Sequence, residues 1–162
     1  MSGLMVFLHL LGAAIWTGGL VFVGLAAVVS RRTLPEAVRV EFFRSLGFGF
    51  LVLAGIAAAL LALSGNVLVD DFGGWEQVGK TSWGELIIWK TAIFAVVLAL
   101  ALVHGLVLGP RIRLLREAEI AGSGGGGGER ALRRAVALST VSQALMLAGT
   151  LAILALAADL VT

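Results

Sequence analysis

Residues 3–29, GLMVFLHLLGAAIWTGGLVFVGLAAVV, carry no charged side chain and a single weakly ionisable one, His9. A helix rises about 1.5 Å per residue, so this run reaches about 40 Å, longer than the ~30 Å hydrocarbon core of a bilayer. A helix that is apolar all round has to be buried on every side, and lipid does that where a small chain cannot. The stretch therefore reads as a membrane span. It continues without charge from Met1 to Ser30, with no Lys or Arg before it, which is too long for the apolar part of a cleaved signal peptide and reads as a retained helix.

Three more runs of the same kind follow, at 45–69, 86–109 with Lys90 as the only Lys, Arg, Asp or Glu, and 135–158. Composition agrees: 59% of the 162 residues are apolar and 14% charged, whereas soluble domains are about half apolar and a quarter charged. The expected fold is all-α, a single domain over 1–162 forming an integral membrane antiparallel four-helix bundle. There is no cysteine, which excludes disulfides, thiolate zinc sites and iron–sulfur clusters built from this chain alone. The net charge of +2 comes from arginines flanking the spans, so the expected partner is the lipid bilayer and no nucleic acid.

The loops differ in sign. The first holds Arg31, Arg32, Arg39 and Arg44, and the third holds Arg111, Arg113, Arg116, Arg130, Arg133 and Arg134. The second has Lys80 against Asp70, Asp71, Glu76 and Glu85. By the positive-inside rule, loops one and three are cytoplasmic and both termini face outward. Trp75, Trp83 and Trp89 cluster about the outer loop, where interfacial aromatics belong. Pro110 is expected to bend or end the third helix at the inner interface. The glycine run at 122–128, broken only by Ser123, is expected to be a flexible cytoplasmic tether, and it lacks the Lys-Ser/Thr ending of a phosphate loop. Ala14 with Gly18, and the stripe Gly55, Ala59, Ala62 and Asn66, are the expected helix-packing positions.

Ionisable groups at membrane depth are costly unless they are paired, ligated or snorkelling, so three require an account: His9, Lys90 and His104. His9 lies 22 residues before Arg31 and Lys90 lies 21 before Arg111, which puts both roughly 30 Å above the inner boundary. His104, seven residues before Arg111, is only about 10 Å from that boundary, so the three cannot share one small site. Met5, His9, Gly12, Trp16 and Gly19 fall on one face of the first helix. Lys90, Val97 and His104 do so on the third, and Ser139, Gln143, Met146 and Thr150 on the fourth. Each reading has an ordinary rival. Lys90 can snorkel to the outer headgroups, and Met5 and Met146 can be apolar filler. His104 can hydrogen-bond to Ser139 or Gln143, and Ser64, Thr150 or Asn66 are the neutral partners open to His9.

The segment from His9 to Gly19, with Trp16 seven residues after the histidine, resembles the opening helix of the copper resistance protein D (CopD) domain. So do the run Trp83-Gly-Glu-Leu-Ile-Ile-Trp-Lys90 and the entry into the last helix at Leu132-Arg-Arg-Ala-Val-Ala137. The pairing of a first-helix histidine with a third-helix lysine also resembles the HemJ-type protoporphyrinogen oxidases, where such residues are associated with haem b. These resemblances imply a multi-pass protein of a prokaryotic plasma membrane.

The expectation that follows is a b-type haem protein, an electron carrier or haem-dependent redox subunit, with His9 and Lys90 as axial ligands. Gly12, Gly18 and Gly19 would give room to the macrocycle, Trp16 would pack against it, and His104 would be free to serve a second, inner haem. The CopD resemblance implies an alternative, copper transport or homeostasis, with Met5 joining His9 and Lys90 as candidate metal-site residues. A third reading is a subunit without chemistry of its own, held against another membrane or redox subunit or against a second copy.

Overall fold

The computed structural model describes residues 2–71, 73–123 and 126–158. Among these there is no strand, and four helical segments are long and apolar enough to cross a membrane. Helix α1 is Ser2–Thr33 and α2 is Glu36–Asp71. A short α3, Trp75–Val78, lies in the outer loop. The third span is one continuous rod made of α4 (Ser82–Val103), a π-helical turn (His104–Leu108) and α5 (Gly109–Ile120), and α6 (Gly126–Ala158) is the fourth. At most 17% of any span's apolar window is buried inside the protein, and Leu4, Phe7, Phe22, Phe48 and Leu63 all point outward. Water would not tolerate apolar surface on that scale, so the outward faces are lipid-facing. The protein is an all-α, multi-pass membrane bundle.

Several boundaries depart from expectation. Every helix outlasts its charge-free run, because arginine and glutamate at the inner ends are good helix formers and carry the rods on past the hydrocarbon. Pro110 does not end the third helix. It has no N–H to give and its ring crowds the carbonyl four residues back, and the ladder adjusts one turn earlier, where the Gly109 N–H bonds the His104 carbonyl five residues behind it. The glycine tether is shorter than expected: Gly126, Gly127 and Gly128 form the first turn of α6, while Gly124 and Gly125 lie outside the described residues. Helix α5 closes with Gly122 at φ +69°, the Ser123 N–H reaching the Ala118 carbonyl, a left-handed stop that glycine adopts without steric cost.

Helices α1 and α2 pack along their lengths, as α4 and α5 do against α6, and contacts of α1 with α6 and α2 with α5 join the two hairpins. The core is Trp16 from α1, Ala54 and Ala57 from α2, Val97 from α4 and Met146 from α6. The expected small-residue stripe on α2 is on the wrong face. Ala54, Ala57 and Ser64 are buried, whereas Gly55, Ala59, Ala62 and Asn66 are exposed, as are Ala14 and Gly18. Small residues fill both faces of α2, so their presence alone did not identify the packed one. At the inner end, Glu36 accepts from Arg39 at 3.0 Å and from Arg116 at 3.1 Å, which places the two arginine-rich loops on one side of the bundle.

Candidate functional site

His9 sits one turn past Met5 on α1, both half-buried, and its ring lies against α2. Nδ1 is 3.1 Å from Ser64 Oγ, and the Ser64 hydroxyl itself donates to the Leu60 carbonyl. A hydroxyl has one proton, so with that proton committed to Leu60 its oxygen accepts from His9. With Ser64 accepting, the proton of this hydrogen bond belongs to Nδ1. Close approach is needed for this: a Cβ at Gly65 would stand 3.3 Å from His9 Cε1. Lys90, half-buried on α4, has no carboxylate partner among the described residues.

Two turns inward, Trp16 is 3% exposed. Its Nε1–H donates to Thr150 Oγ1 at 3.3 Å, and its ring meets Phe94 edge-on with centroids 5.4 Å apart. Thr150, a possible partner for His9, is thus taken by the indole, and Asn66 by Trp75, whose Nε1–H lies 3.2 Å from Asn66 Oδ1. The indole bond was not read from the sequence, although Trp16 and Thr150 each fell on a predicted polar seam.

The glycines do not provide the expected space. At Gly12 an added Cβ would lie 3.1 Å from the Ala57 carbonyl oxygen, and at Gly19 it would lie 2.6 Å from Phe50 Cε2. Both glycines exist for contact with α2. Gly18 is open but exposed.

His104 opens the π-helical turn and is half-buried. Its Nδ1 is enclosed with no hydrogen-bond partner, so the predicted bond to Ser139 or Gln143 is not made at that atom. His104 stands at the start of a π-helical turn, whose changed register a straight-helix reading cannot anticipate. Ser142 Oγ, on α6, is likewise enclosed and unpartnered. No cluster of three or more His, Cys, Asp or Glu exists among the described residues.

Fold and site together define a multi-pass membrane protein in which a serine-bonded histidine on α1 stands two turns from a buried Trp16–Phe94 core. The chain belongs to the family described as a domain of unknown function, DUF4149, whose pattern matches residues 11–120. That span takes in Gly12, Trp16, Gly19, Lys90 and His104, while Met5 and His9 precede it. No curated protein and no solved structure matches the chain.

Proposed function

We propose that the protein holds a b-type haem at its outer end and serves as a membrane electron carrier or redox subunit, with His9 Nε2 as the principal axial ligand and Lys90 as the second. The observation that carries this reading is the Ser64 relay, which fixes the tautomer that metal ligation requires and anchors the ring from behind. An axial ligand is the chief thing a haem asks of a sequence, and the haem would supply one-electron chemistry. The donors fit. Gly12 and Gly19 offer no room, and Trp16 with Phe94 closes the interior beneath His9. The group would therefore sit on the outer side of those rings, where the backbones of α1 and α4 approach each other little.

The test is the absorption spectrum of the full chain purified from a haem-replete membrane. A Soret band that His9→Ala abolishes is the expected result; a folded, haem-reconstituted and colourless protein overturns the reading. Copper held by Met5 and His9, one turn apart on α1, is the second reading. It predicts bound copper by metal analysis and no haem spectrum. A protein lacking both, and co-purifying with another membrane subunit, would be an accessory chain.

A further inference from the structure

Between α5 and α6, just past the π-turn, lies a cavity of about 220 Å³. Its walls are Leu108, the last residue of the π-turn, with Ala131, Ala135 and Leu138 of α6; its polar lining is Arg111 and Arg134. The lining thus pairs an apolar wall with two arginines from neighbouring helices. Both arginines lack a carboxylate partner among the described residues: Glu36 is taken by Arg39 and Arg116, Glu41 by Arg44, and Glu129 by Arg133. Two like charges facing one small cavity repel unless an anion lies between them. Arg111 follows the third apolar run directly and Arg134 precedes the fourth, so the cavity lies at the cytoplasmic boundary of the bilayer.

We propose that this cavity is a binding site for an anionic phospholipid of the inner leaflet, with the phosphate between Arg111 and Arg134 and acyl carbons along Leu108 and Leu138. The shared chemistry is a phosphate oxyanion. The apolar wall is what favours a lipid over free phosphate, since a bare anion gains nothing from leucine and alanine. Basic pockets between spanning helices on the cytoplasmic side are suited to such headgroups, because bidentate guanidinium–phosphate bonding acts beside a low-dielectric wall. The site is independent of His9 and of any group held there.

The experiment is native mass spectrometry of the full chain from nanodiscs of equal phosphatidylglycerol and phosphatidylcholine. Retained phosphatidylglycerol adducts should dominate. Each arginine near the surface is worth roughly fivefold in affinity for acidic lipid, so R111Q and R134Q should each weaken retention about fivefold and the double variant about 30-fold. Arg111→Lys with Arg134→Lys should restore part of it, and Arg44→Gln, away from the cavity, should leave it unchanged. Unaltered elution and helical circular dichroism identify folded variants. Equal retention of the two lipids, or a folded double variant that keeps its adduct, overturns the proposal. Displacement of the lipid by millimolar inorganic phosphate overturns the lipid assignment in favour of a free-anion site.

Discussion

If Trp16 is what fastens α1 to α6, removing its indole N–H should cost measurable stability only while Thr150 is there to receive it. Thr150 is 4% exposed and accepts at 3.3 Å, so neither group meets water or lipid in the folded protein. Interhelical hydrogen bonds in membranes average about 0.6 kcal/mol and reach about 1.7 kcal/mol, because the unfolded helices find other partners. A double-mutant cycle of Trp16→Phe and Thr150→Val, read by reversible SDS unfolding in bicelles, should therefore give a coupling energy of about 0.6–1.7 kcal/mol. Trp16→Ala should cost far more, roughly 3–5 kcal/mol, since it also empties the core between Phe94, Val97 and Met146. A coupling of zero with both single variants folded would remove the indole bond as the fastening. If Trp16→Ala cost less than about 1 kcal/mol, the ring would have to face lipid and the closed core would be wrong.

Other expected outcomes follow from the same contacts. Gly84→Ala drives a Cβ into the Val78 carbonyl oxygen, a backbone atom that cannot swing aside, so the outer loop must shift at a cost of about 1–3 kcal/mol. Faster proteolysis between Phe72 and Thr81 is the readout, and an unchanged cleavage rate would contradict the packing. Ser64→Ala removes the acceptor behind His9 and should weaken haem or metal retention about 10- to 100-fold while the helices stay folded; equal retention in titrations would show that the imidazole is not held from behind. Glu36→Gln unpairs Arg39 and Arg116 at a half-exposed position, so the loss should stay near or below about 1 kcal/mol and shrink in high salt. Denaturant midpoints at two ionic strengths measure it.

The four spans, their order and the sidedness of the loops are written in local composition. A helix in lipid satisfies its own backbone and needs only length and apolarity to exist, both of which are countable along the chain. The equal depth expected for His9 and Lys90 rests on the same kind of count, residue number multiplied by rise. Which face of each helix turns inward was not legible. Lipid tails are as apolar as leucine, so the sequence carries no amphipathic stripe to mark the packed side, and close fit alone makes the choice. Tertiary structure therefore decided that Ala54, Ala57 and Ser64 are buried in place of Gly55, Ala59 and Ala62. It also decided that Gly12 and Gly19 receive α2, that Thr150 belongs to Trp16, and that Pro110 is met by a π-turn beginning at His104, beside which an arginine-lined cavity lies.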